Sequence, residues 1–336
     1  LVEFVALLLL VSTVGVLLGR SIHAAYGWIA LIGTVATAWL WRRAAGGTHL
    51  MSYGFVLAFL LCVGGTIALA THYYDLSEDG QTYHQEGIIR LAEGWNPVYE
   101  RLPSDLSTRI YVENYAKGPW IEAACIYAMT GSVESGKAVN LLLIASTLLL
   151  CFATLLRVTA LPPWLCIAFA ALIALNPVSV YQSLGYYVDG QLASLLISLM
   201  ALLVFELFGG GSATTRIATV LLIVVLVNVK FTAVAYVCAV AATAVIGALL
   251  ARRLSRHRAL LVWASVAFVV GIFVAGYNPY VTNTVRHGHP FYPLYGAGRL
   301  DVVTEQMPQN FMPLNRFRRL ALSIFGQSAN VGDWSV

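Results

Sequence analysis

Long apolar runs separated by short polar breaks dominate the chain. Nine runs read as spanning helices: residues 1–18, 26–41, 51–70, 139–156, 164–181, 190–207, 217–229, 231–250 and 260–276. A helix needs about 20 apolar residues to cross the hydrocarbon core, and several of the runs approach that length. The ten-residue alternation of a membrane β-barrel is absent. The pattern predicts an all-α polytopic membrane protein with about nine transmembrane helices. The fifth run is interrupted at Asn176-Pro177, and Gly209-Gly210-Gly211-Ser212 reads as a flexible turn between the sixth and seventh.

Two stretches break this rhythm. Residues 71–117 are polar and contain Pro97 and Pro103. That is too long for a simple connection, and long ordered loops are usually functional. A helix is predicted from Asp79 onward. Asp79, Tyr83, Glu86 and Arg90 fall on one stripe of a 3.6-residue period, and His84, Ile88, Leu91 and Trp95 on another. It should end at Gly94, because glycine closes helices at little cost and Pro97 prevents continuation. Gly118-Pro119-Trp120 opens a short apolar helix to about Thr130, with proline in its first turn. It is too short to span upright and reads as re-entrant or interfacial. Residues 71–133 thus form one extracytoplasmic loop carrying interfacial helices, within a single transmembrane domain over residues 1–336, and residues 277–336 form a second outer region. The chain begins at Leu1, shows no cleavable signal peptide and ends from Ser323 to Val336 without a clear closing helix, which reads as a chain incomplete at its termini.

Charge gives the orientation. Arg42 and Arg43, Arg157, and the cluster Arg252, Arg253, Arg256, His257 and Arg258 fall on one side, assigned to the cytoplasm by the positive-inside rule. The acidic loop, Asp189 and Lys230 then fall outside. The net charge of +4 is accounted for by these cytoplasmic clusters, so no nucleic-acid partner is expected. The five cysteines lie in apolar runs without paired or metal-type spacing and read as small buried hydrophobes.

Only 11% of residues are charged, yet residues 75–86 hold four carboxylates. Asp79 and Asp75 are the candidate general bases, since a carboxylate at the membrane surface can take a proton from an acceptor hydroxyl. The competing reading is a solvated acidic loop with Asp79 capping a helix. Lys117 is either a site residue or a lysine snorkelling at a helix start. Asp189 is either a site residue or a helix-dipole partner. Lys230 lies between two apolar stretches with no charge adjacent in sequence, and a charge at membrane depth is by default a site hypothesis. Arg286, His287 and His289 can bind a phosphate through charge-assisted hydrogen bonds. His-x-His without a nearby carboxylate is a weak metal signal. No cofactor is expected; a divalent metal is left open but not indicated. Phosphate-binding glycine loops, Gly-x-Ser-x-Gly elbows and Cys-x-x-Cys pairs are absent, which argues against an ATPase, a serine hydrolase or a redox enzyme.

These residues, in this order and with this sidedness, resemble the GT-C superfamily of integral membrane glycosyltransferases. The branch concerned contains the protein O-mannosyltransferases and lipid A aminoarabinose transferases. Asp79 followed four residues later by Tyr83 is similar to that family's acidic motif, Lys117-Gly118-Pro119-Trp120 to its Lys-Pro-Pro-Leu-like element with one proline fewer, and Asp189 and Lys230 to its outer Asp and Lys. The resemblance covers roughly residues 50–295. The family often carries Asp-Glu where this chain has Glu78-Asp79, so the choice between Asp75 and Asp79 as base stays open. The resemblance implies inverting transfer of a sugar from a polyprenyl-phosphate donor to a glycan, lipid or protein acceptor outside a bacterial inner membrane. Asp79 would be the base. Lys117, Lys230 and Arg286 would hold the lipid phosphate, and Tyr83, His84, Glu86, Asp189, His287 and His289 would complete the substrate site. The alternatives are a polymerase or ligase of lipid-linked glycans, and a membrane transporter.

Overall fold

The computed structural model describes residues 1–44, 46, 48–250, 254–300 and 313–325. Among them the regular structure is entirely helical. The helices are α1 (Val2–Leu17), α2 (Ala24–Ala44), α3 (His49–His72), α4 (Gln85–Ala92), α5 (Arg109–Asn114), α6 (Gly118–Thr130), α7 (Ala138–Val158) and α8 (Pro163–Ala174). They continue with α9 (Pro177–Tyr181), α10 (Asp189–Val204), α11 (Ala213–Leu226), α12 (Phe231–Leu250), α13 (Leu254–Val270), α14 (Thr282–His287) and α15 (Arg316–Phe325).

Four stretches are long and apolar enough to cross a membrane: Ala24–Ala44, His49–His72, Val133–Val158 and Asp189–Gly210. A fifth is added if Leu261–Ala275 and Tyr277–His287, bent by 74° relative to each other, count as one. The other expected spans are shorter helices. The run at 164–181 divides into α8 and α9, because the residue before a proline disfavours helix and Asn176 instead caps α9 by accepting from Ser179 N–H at 3.1 Å. Large apolar side chains such as Ile32, Leu57, Leu61 and Leu172 face outward, an exterior suited to lipid rather than to water.

α1 runs through the middle. Phe4, Leu8 and Leu9 are fully buried, and the helix packs against α2, α6 and α11. α7 packs against both α8 and α10. Gly209-Gly210-Gly211-Ser212 forms the corner between α10 and α11. A π-helical segment, Phe205–Gly210, continues α10, and Ser212 and Thr215 form a reciprocal cap that starts α11. Glu206 pairs with Arg216 across this corner at 3.0 Å, and Arg157 Nε donates to Gly209 O at 2.7 Å. Arg157 therefore sits at the end of α10 opposite Asp189. Arg252 and Arg253 lie outside the described residues, as do 301–312 and 326–336 of the second outer region.

The helix expected from Asp79 forms, with one difference. Gly80–His84 is a π-helical turn, and α-helical geometry begins at Gln85. The helix closes at Glu93, with Gly94 at a φ of 111° that favours glycine. Ile88, Leu91 and Trp95 are buried, as their stripe requires.

Candidate functional site

A cavity of about 260 Å³ opens where the π-turn, the start of α6, the start of α10 and the α11–α12 tip converge. Asp79, Tyr83 and His84 reach it from the π-turn, Tyr115 and Trp120 from around the start of α6, Tyr187 and Asp189 from the start of α10, and Lys230 and Phe231 from the tip. The extra residue per turn explains His84. A regular 3.6-residue helix would separate it from the Asp79 stripe, whereas a π-turn brings positions five apart onto one face.

Hydrogen bonds to backbone atoms hold these pieces together. Gly118 N–H donates to Asn228 O at 2.9 Å, tying α6 to the α11–α12 tip. Asn228 Nδ2 donates to Val224 O at 2.8 Å and to Gly271 O at 2.9 Å, which anchors the tip to the neighbouring helix. Asp75 supplies the other clamp. Its carboxylate accepts from Ser77 N–H at 2.9 Å and from Tyr186 N–H at 3.0 Å, and its own N–H donates to Glu134 at 3.1 Å. Glu134 is paired with Lys137, whose ammonium also donates to Tyr73 O. Asp75 thus lies behind the cavity wall and joins the segment carrying Asp79 to the segment carrying Asp189.

Tyr83 Oη donates to Asp79 Oδ2 at 3.2 Å. Burial pushes the Asp79 carboxyl above its ordinary value, and the charges of Glu78 and Asp189 act the same way, against the Tyr83 hydrogen bond and Lys230. Burial and then the Asp79 charge raise the Tyr83 phenol, so it remains a donor. His84 is buried, and its Nδ1 accepts from Trp120 Nε1–H at 2.6 Å. Burial, with Lys230 adding to it, lowers the imidazole to about 3. Lys230 is not isolated: its ammonium meets Asp189 Oδ1 at 2.7 Å, with both side chains 44% exposed. This corrects the picture of an unpartnered charge, because a partner 41 residues distant in sequence neutralises it.

Of the residues singled out from sequence, the structure brings Asp79, Tyr83, His84, Asp189 and Lys230 together. The others do not line the cavity. Lys117 is fully enclosed behind Ala116, donates to Glu113 O and Tyr115 O at 2.9 Å each, and lies over the rings of Trp95 and Trp120. Burial moves its ammonium well below the ordinary lysine value. Glu86 pairs with Arg90 at 2.7 Å. Arg286 donates to Val98 O at 2.7 Å, His287 stacks on Tyr292, and His289 Nδ1 accepts from Phe291 N–H at 3.1 Å. Sequence reasoning passed over Tyr115, Trp120 and Tyr187 as lining residues. For two of them a signal was present, since Trp120 follows the proline that opens α6 and Tyr187 stands two residues before the aspartate that opens α10. Among the described residues no group of three or more His, Cys, Asp or Glu side chains is arranged to hold a metal ion.

The arrangement offers a part-buried carboxylate able to accept a proton, aromatic faces on several sides, one neutral imidazole and an ion pair open to exchange. Comparison of the chain with protein-family models, with curated proteins and with solved structures finds no match.

Proposed function

We propose that the chain is an integral membrane glycosyltransferase of the GT-C kind, with about nine spans and its cavity on the extracytoplasmic side of a bacterial inner membrane. It would transfer a sugar from a polyprenyl-phosphate donor to a glycan, lipid or protein acceptor. The observation that carries this reading is the composition of one cavity: Asp79, five aromatic side chains and the half-exposed Lys230–Asp189 pair. Aromatic faces suit the C–H faces of a sugar ring. An acceptor hydroxyl attacks the anomeric carbon while Asp79 takes its proton. The bond from that carbon to the phosphate oxygen breaks, the polyprenyl phosphate leaves with the electron pair, and the configuration inverts. A carboxyl raised by burial is a stronger base than an ordinary aspartate. Lys230 acts as a point charge that can exchange Asp189 for the donor phosphate.

One observation favours transport instead. Broken helices mark transporter sites, and the 74° bend between Leu261–Ala275 and Tyr277–His287 is such a break. The polar side chain there is tied into the fold, however: Asn278 Nδ2 donates to Pro97 O and to Thr282 Oγ1 at 2.9 Å each. The test is to offer purified protein the same labelled sugars on polyprenyl phosphate and on nucleoside diphosphate. Release of polyprenyl phosphate with transfer of the sugar supports the proposal. Turnover restricted to nucleotide sugars, or uptake into vesicles without transfer, would overturn it.

A further inference from the structure

His84 is held in one chemical form. An indole N–H can only donate, so the bond from Trp120 Nε1 to His84 Nδ1 at 2.6 Å requires Nδ1 to be unprotonated. In the neutral ring the hydrogen is then on Nε2. Protonation would force two N–H groups against each other and place a charge on a residue that is only 4% exposed. The titratable groups that line the cavity with it are Asp79 and Tyr83 on its own turn, Tyr115 before α6, Tyr187 and Asp189 at the start of α10, and Lys230 from the α11–α12 tip. The opposing charges of Asp189 and Lys230 are already paired with each other.

We propose that His84 is a fixed hydrogen-bond donor of the cavity, selecting through Nε2–H a ligand oxygen that can accept and rejecting an ammonium at that position. Resting on the reading of the cavity as a sugar-phosphate site, it assigns a hydroxyl or phosphoryl oxygen to the point facing His84. An ammonium has no lone pair to offer an N–H. A neutral donor also holds the ligand without adding a positive charge beside Asp79, which would weaken that carboxylate as a base. His84 is thus a binding and positioning group, and Trp120 fixes its tautomer.

Two measurements test this. In ¹⁵N-histidine-labelled protein, with the His84 signals identified by their loss in His84→Asn, the ring should show protonated Nε2 and bare Nδ1 from pH 5.5 to 8. Trp120→Phe should release it into mixed tautomers or into titration within that range. Titration of His84 in the unaltered protein would overturn the assignment. The second measurement is binding of a short-chain prenyl-phosphate mannose, with prenyl phosphate alone and methyl mannoside as separate arms to locate the oxygen on phosphate or sugar. Asn can accept from Trp120 but lacks the Nε2–H, whereas Gln carries an N–H to the Nε2 position. His84→Asn should therefore weaken binding by about tenfold and His84→Gln should recover most of it. Equal affinity in His84→Asn would overturn the proposal. Failure of the unaltered protein to bind any arm would instead overturn the donor reading of the cavity, and the nitrogen shifts would then decide His84 alone.

Discussion

Gly118→Ala tests whether the α11–α12 tip is pinned to α6. A Cβ at residue 118 would lie 2.7 Å from Asn228 O and 3.1 Å from Asn228 C, both backbone atoms that no rotamer change can move. Relief to an ordinary contact requires the tip to retreat by about 0.7 Å. The same movement stretches the 2.9 Å bond from Gly118 N–H to Asn228 O beyond useful length. Overpacking of this kind costs about 1–3 kcal/mol, a loss of roughly 1–4 °C in melting temperature for a chain of 336 residues. Lys230 follows Asn228 by two residues, so it shifts relative to Asp79. A misplacement approaching 1 Å lowers turnover by up to about 100-fold. Thermal unfolding in detergent and polyprenyl-phosphate release measure the two effects. Gly54→Ala is the control, since a Cβ there meets nothing within 4 Å. Gly118→Ala behaving like Gly54→Ala in both assays would refute the claim that this contact positions the tip.

Three further outcomes follow from the charges. Asp79 must be ionised to act as base, so transfer rises as pH climbs through its pKa; Lys230→Met removes a charge that lowers this pKa and should move the acid limb to higher pH, whereas Asp189→Asn should move it lower. The half-exposed pair itself is worth about 0–1 kcal/mol, so neither variant should unfold more readily than that allows in a denaturation series. Asp75→Asn turns one of two accepting oxygens into a donor facing a backbone N–H, so it should cost about 1–3 kcal/mol of stability in the same series, with the loss of turnover following the loss of folded protein.

Much of the scaffold was legible in local sequence. The runs that became α2, α3 and α7, the end of the loop helix at Gly94 and the break at Asn176-Pro177 each depend on residues within one or two turns. The site was legible in part. Asp79 and Tyr83 are a turn apart and could be read as neighbours, but the π-turn that adds His84 to their face departs from the 3.6-residue period, and the partner that holds His84, Trp120, lies 36 residues away. The same limit applies to Lys230, paired with Asp189, and to Lys117. As a residue type Lys117 suggests a surface charge, yet carbonyls from its own turn and two tryptophan rings enclose it. Glu134 and Lys137 were hidden for another reason. They stand just before a long apolar run and look like its solvated edge, but they are buried and hold the backbone of Tyr73 and Asp75.

The central claim is that Asp79 is the base of a lipid-phosphate-dependent transferase. The most direct measurement is the single-turnover rate of sugar transfer from a polyprenyl-phosphate donor by the unaltered protein, Asp79→Asn and Asp75→Asn, each normalised to folded protein. Asp79→Asn keeps the size of the side chain and removes its ability to take a proton, so transfer should fall by about 100-fold or more while Asp75→Asn stays near the unaltered rate per folded molecule. Near-normal transfer by Asp79→Asn, with folded Asp75→Asn inactive, would contradict the account.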